Sequence, residues 1–199
     1  MVINFWYEFA STYSYPAAMR IQDVAEGKGV RVQWQPFLLG PIFKELGWTT
    51  SPFNLQPAKG RYMWRDMERI CDELKLPFKR PNPFPQNGLH AARVAIALPN
   101  NGQRAEFTRR VYTAGFGLGQ EIANKQFLTD ILADMGHEAE RIMTQAATRK
   151  IKTDLKRQVE IADSLGVFGA PTFITTDGEL FWGNDRLEDA LSWEQSRQK

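Results

Sequence analysis

Cysteine is almost absent from this chain: Cys71 is the single thiol in 199 residues, so no internal disulfide can form. Histidine is nearly as scarce, with only His90 and His137, and neither pairs with carboxylates at metal-ligand spacing. An excess charge of one sign is missing too. The 25 basic and 23 acidic residues leave a net charge of +2, which gives no general field for nucleic acid or an anionic membrane. No apolar run reaches the roughly 20 residues needed to span a bilayer. A strand pattern begins at Val2, with no basic stretch and apolar core ahead of it, so no signal peptide is expected. Together with the lone cysteine, these absences lead us to expect a cytoplasmic protein.

What is present is a globular composition, 43% hydrophobic, in a chain long enough for one large domain or a domain with an insertion. Ile3, Phe5, Tyr7 and Phe9 alternate with Val2, Asn4, Trp6 and Glu8, which suits a strand covered on much of both faces. A helix follows from about Ser14 to Lys28, with Pro16 in its first turn and Gly27 and Gly29 at its end. Val30, Val32 and Trp34 then mark a second strand, stopped by Pro36. Strand, helix, strand over this length is a βαβ unit.

From about Pro57 to Leu165 the periodicity is helical almost throughout, in segments Met63 to Leu74, Leu89 to Leu98, Arg104 to Phe116, Phe127 to Met135, Glu138 to Ala147 and Ile151 to Leu165. Turn residues collect between them, at Pro77 to Pro85, Pro99 to Gly102 and Gly117 to Gly119. The chain closes with two short apolar runs, Thr172 to Thr175 and Glu179 to Trp182, around an Asp177-Gly178 hairpin turn. Asp185, three residues before Glu188, reads as a capping box for a last helix.

Chemistry gathers at two distant places. Ser11-Thr12-Tyr13-Ser14 stands where the first strand gives way to the first helix, and Gly169-Ala170-Pro171-Thr172 opens the second pair of strands. A serine at a helix start can simply cap it, a role worth about 1 kcal/mol. It can also donate its hydroxyl hydrogen to a bound anion, favoured there by unpaired backbone N–H groups and the positive helix end. Pro171 can be a turn before a strand, and its isomer is not written in the sequence. Cys71 lies on the stripe Met63, Met67, Ile70, Cys71 and Leu74, whose steps of three and four mark a buried helix face, so it reads as core. Arg149, Lys150, Lys152, Lys156 and Arg157 read as a solvated helix face. A Ser-His hydrolase finds no Gly-x-Ser-x-Gly elbow around Ser11 or Ser14. His137 is expected at the surface, whereas His90, beside Leu89, could reach a cleft.

Three segments in order carry a family resemblance: Phe5 to Tyr15, Pro57 to Met63, and Trp182-Gly183-Asn184-Asp185-Arg186-Leu187. With them the chain resembles the 2-hydroxychromene-2-carboxylate isomerase family, which is similar to the kappa-class glutathione transferases, along its whole length. The resemblance implies an α/β, thioredoxin-like fold of the DsbA type with a large inserted α-helical domain. Residues 1–50 and 166–199 would form the thioredoxin-like domain and residues 51–165 the insertion. In the thioredoxin superfamily the two places above hold the redox CxxC and a cis-proline loop, and here serines stand for both cysteines.

The resemblance further implies glutathione as cofactor and Ser11 as the group that stabilises its thiolate. Ala170, ahead of Pro171, would pair through its main chain with the cysteinyl backbone. Trp182, Gly183, Asn184 and Asp185 would hold the γ-glutamyl end. Lys59 would attract the carboxylate of an aromatic acid, and Asn54 and Leu89 would touch that substrate. A lysine at a helix start is locally unfavourable, which accords with a role for Lys59 beyond the helix. The implied activity is isomerisation of an aromatic or bicyclic carboxylic acid by thiolate addition, ring opening, rotation and elimination, in a homodimer. The alternative is kappa-like transfer of glutathione to electrophiles, and a thioredoxin-fold binding module or chaperone is a third reading. This chain departs from the family pattern at Thr12, where proline is usual, at Glu8, where aspartate is usual, and at Trp48, near which naphthalene-pathway enzymes carry a small polar residue.

Overall fold

The computed structural model describes residues 1–197. Strand β1 (Val2–Tyr7) pairs in parallel with β2 (Arg31–Pro36), and helix α1 (Ser14–Glu26) crosses between them. Tyr15, Ala18, Ile21 and Ala25 recur at helical spacing on the buried face of α1. β1 ends at Tyr7, two residues before the apolar run does, because Glu8 and Phe9 turn out of the sheet toward Ser11. Two short helices follow, α2 (Leu39–Glu45) and α3 (Pro52–Leu55), in a stretch whose prolines hide any helical period.

The helical part comprises α4 (Pro57–Glu73), α5 (Leu89–Ala97), α6 (Asn101–Tyr112), α7 (Lys125–Asp134), α8 (Ala139–Ala147) and α9 (Arg149–Ser164). A π turn over Thr113–Gly117 extends α6 as far as the apolar periodicity ran. The hairpin β3 (Thr172–Ile174) and β4 (Leu180–Trp182) then completes the sheet. Sheet order is β2-β1-β3-β4, with β3 antiparallel to both neighbours. This is the thioredoxin-like sheet that the resemblance implies.

The last helix, α10 (Leu187–Ser196), follows a 3-10 turn over Asn184–Arg186. The capping box is not formed. Arg186 occupies the N-cap without a side-chain bond, since the intervening turn leaves Asp185 exposed and ahead of the cap.

Aromatic packing joins the sheet to the helical part. The ring of Phe5 stacks on Tyr7 and Phe173, with centroids 5.2 and 5.5 Å apart, while Phe9 meets Phe107 and Tyr112 of α6. Tyr7 and Thr108 share a buried hydroxyl bond of 2.8 Å across this boundary. On the outer side of β2, Asn101 behaves as one residue of a further strand: its Nδ2 donates to the carbonyl of Val32 at 2.7 Å and its Oδ1 accepts from the N–H of Trp34 at 2.9 Å.

Candidate active site

A cleft of about 580 Å³ opens where the end of β1 faces the loop before β3. Ser11 sits on its wall, three residues before α1 begins. Its backbone N–H donates to the carbonyl of Glu8 at 2.9 Å, which fixes the tight turn out of the strand. The hydroxyl Oγ donates to the carbonyl of Ala170 at 2.8 Å and accepts, at 3.4 Å, from the N–H of Ser14. The Ala170–Pro171 peptide is cis. The two distant sequence signals therefore meet through one hydrogen bond.

Other expected site residues divide. Ser11, Ala170, Trp182 and Leu89 line the same cleft. Pro171 is buried behind it, and its carbonyl accepts from the N–H of Gly183 at 3.0 Å. Gly183, Asn184 and Asp185 form the turn that leaves β4 and do not line the cleft. Gly183 has φ +115, a conformation that side chains rarely adopt, which accounts for glycine there. Asn184 is buried: its Oδ1 accepts from Arg20 Nε at 3.1 Å and its carbonyl from Arg20 at 2.5 Å, while Arg20 also pairs with Glu188.

Lys59 and Asn54 are exposed and lie outside the lining. Asn54 instead ties two cleft-lining residues together, donating to Phe84 O at 3.1 Å and Thr50 Oγ1 at 3.2 Å. Ser14 is fully buried and absent from the lining, which removes it as a nucleophile. His90 faces a different cavity, because it follows Leu89 by one helical step and so points away from the cleft. His137 is half-buried rather than at the surface, with Nε2 enclosed. Burial pushes the Cys71 thiol up to about 11, in keeping with a core role. Among the described residues, no cluster of His, Cys, Asp or Glu could hold a metal, and no helix is long and apolar enough to cross a membrane.

Several cleft residues were not among the expected site residues. Phe43 and Trp48, 5.3 Å apart between ring centroids, lie in the proline-broken stretch around α2. Phe53 and Phe84 add further apolar wall, and Phe168 meets Trp182 at 5.0 Å. Glu8 is the only carboxylate in the lining, and no Lys, Arg or His joins it among the described residues. Burial raises its acid to about 7, opposed in part by the N–H of Ala10, which donates to Oε2 at 2.8 Å, and by that of Ser11. An acid inside the first apolar run was the visible sign of it. Thr12, in place of the usual proline, is buried and donates to Met63 Sδ at 3.2 Å.

Residues 2–192 match the family described as DSBA-like thioredoxin domain. Among curated relatives, the 2-hydroxychromene-2-carboxylate isomerase of Sphingobium xenophagum is 26% identical over 94% of each chain. Human glutathione S-transferase kappa 1 is 27% identical over 94% of this chain and 87% of its own. A solved 2-hydroxychromene-2-carboxylate isomerase superposes with a TM-score of 0.89 at 22% identity, covering 100% of this chain and 96% of that one, which shows a common fold.

Proposed function

Because this chain belongs to the DSBA-like thioredoxin domain family, with relatives named as isomerases and glutathione transferases, we propose that it is a glutathione-dependent isomerase of an aromatic or bicyclic carboxylic acid. The observation that carries the reading is the Ser11 hydroxyl, held on a cleft wall against the main chain of Ala170. No cysteine lines the cleft and Cys71 is buried elsewhere, so in this reading the reactive sulfur arrives on a second molecule.

The residues present fit that molecule. Ser11 would hold the sulfur, Ala170 offers its carbonyl to a backbone N–H, and Trp182 bounds the same wall with the Gly183–Asp185 turn beyond it. Glutathione, when bound, supplies the thiolate nucleophile that adds reversibly to an electrophilic carbon. To act on it, the Ser11 hydroxyl turns its hydrogen from the Ala170 carbonyl to the sulfur, which frees that carbonyl to accept. Glu8 stands on the same wall and can take up a proton near neutrality, because burial has raised its acid. The apolar walls exclude water and suit fused or single aromatic rings.

Titration calorimetry with glutathione, with the ultraviolet absorbance of the bound thiolate followed against pH, tests the thiol site. Replacing Ser11→Ala should remove a hydrogen bond to a charged group, worth about 1.5–3 kcal/mol, and raise the pKa of the bound thiol by about one to two. An unchanged thiol pKa in Ser11→Ala would overturn the assignment.

A second reading, kappa-like transfer to electrophiles, is favoured by one observation. The lining has no described cation to meet a substrate carboxylate, and Lys59 lies outside it. Product analysis separates the two: an isomerase leaves glutathione undiminished, whereas a transferase accumulates a thioether in proportion to glutathione consumed.

A further inference from the structure

A second cavity, of about 480 Å³ and open to solvent, is lined by residues of α5, α7, α8 and α9. Four of its side chains are basic: His90 and Arg93 of α5, Lys125 at the start of α7, and Lys152 of α9. Glu140 of α8 is the one carboxylate, Thr129 contributes a hydroxyl, and Met143 an apolar face. These groups come from helices remote in sequence, so the fold, and not a local run of charge, brings them together.

Several neighbouring cations on the same helices have a carboxylate partner, while Arg149 and Arg157 of α9 have none among the described residues. On α9, Lys150 pairs with Asp154 at 2.5 Å and Lys156 with Glu160 at 3.5 Å, and Arg141 of α8 pairs with Glu138 at 2.8 Å. Arg93, Lys125 and Lys152 have no ion pair among the described residues, and Arg93 Nε is buried without a hydrogen-bond acceptor. A buried donor left unmatched costs about 1–3 kcal/mol. The like charges also act on one another: His90 is held below its usual value by burial first and then by Lys125 and Arg93. An anion in the cavity would offset the mutual repulsion of these cations, and a turn of the Arg93 guanidinium toward it would match the unpaired donor.

We propose that this cavity binds the phosphate of a small phosphomonoester. A phosphate dianion offers three acceptor oxygens to an arginine and two lysines, a match that a single carboxylate does not reach. The cavity exceeds the size of a bare phosphate, and Met143 provides a surface on which the carbon skeleton can lie. The site shares no residue with the thiol cleft, so it stands or falls independently of the glutathione reading.

The test is a nuclear magnetic resonance titration of the His90 imidazole, at constant ionic strength, with ribose 5-phosphate, inorganic sulfate and sodium chloride as probes. Ribose 5-phosphate should raise the His90 pKa saturably, because bound negative charge offsets Lys125 and Arg93. Sulfate should do so with weaker affinity, and chloride should not. Lys125→Gln and Lys152→Gln, both at exposed positions, should each weaken ribose 5-phosphate binding about tenfold, and Arg93→Gln by more, with glutathione binding unchanged. If sulfate binds as tightly as the sugar phosphate, the site holds the free anion and the organic ligand is overturned. If all three salts move His90 alike, or the lysine variants bind as wild type, the whole proposal is overturned.

Discussion

Glu8 is a carboxylic acid enclosed by the end of a strand, and its charge is the most costly one on the cleft wall. Its acid lies at about 7 when folded and near 4.5 when unfolded, so the folded protein binds more protons between those values. Stability contributed by the protonated form is complete below about pH 4.5 and falls as pH rises through about 7. The loss is on the order of 3 kcal/mol at full ionisation. Glu8→Gln keeps an acceptor for the Ala10 N–H and cannot ionise. Urea denaturation of both proteins at pH 4 and pH 8 should therefore show the variant gaining on wild type chiefly at the higher pH. At this scale a serine at a helix approach and a proline loop stood out as local patterns, whereas the expectation that Ser11 and Ala170 belong to one site came from the family resemblance. Whether a side chain faces the cleft was not legible: Leu89 and His90 are adjacent in sequence and open on different cavities.

Elements with a clean period were readable, and those cut by proline were not. The βαβ unit, the hairpin and the six long helices all follow from alternation or from steps of three and four. α2 and α3 are only 7 and 4 residues long, with Pro41 inside the first, Pro52 opening the second and Pro57 following it, too short for any period to emerge. Yet they carry Phe43 and Phe53 of the cleft wall. The seam between α3 and α4 depends on Gly60, where a Cβ would press into the backbone carbonyl of Phe53. Backbone cannot swing aside as a side chain can. Gly60→Ala should push α3 off α4, lowering stability by about 1–3 kcal/mol and weakening substrate binding more than glutathione binding. Thermal melts with separate titrations of the two ligands would check this.

Across the whole molecule, the helical part and the sheet share one core in which Tyr7 meets Tyr112 and Phe9 meets Phe107 and Tyr112. Neither portion keeps its apolar face covered without the other. Heat should therefore unfold the chain in a single transition, with calorimetric and van't Hoff enthalpies equal; two resolved transitions would show independent units. The helical periodicity runs from about Pro57 to Leu165, but the sharing of a core between that stretch and the sheet depends on contacts between remote residues, which no local pattern records.

Asn101 gives the molecule a further property. β2 is one of the two outermost strands, and a bare outermost strand offers its free amides to any passing chain. One side-chain amide occupies the donor of Trp34 and the acceptor of Val32 at its centre, closing the register to an incoming neighbour. Asn101→Ala should leave the fold recognisable by circular dichroism yet cause light scattering to grow with concentration, since uncapped sheets would zip together into fibrous or amorphous aggregates. Solubility at cellular concentrations then rests, in part, on a single carboxamide far from any chemistry.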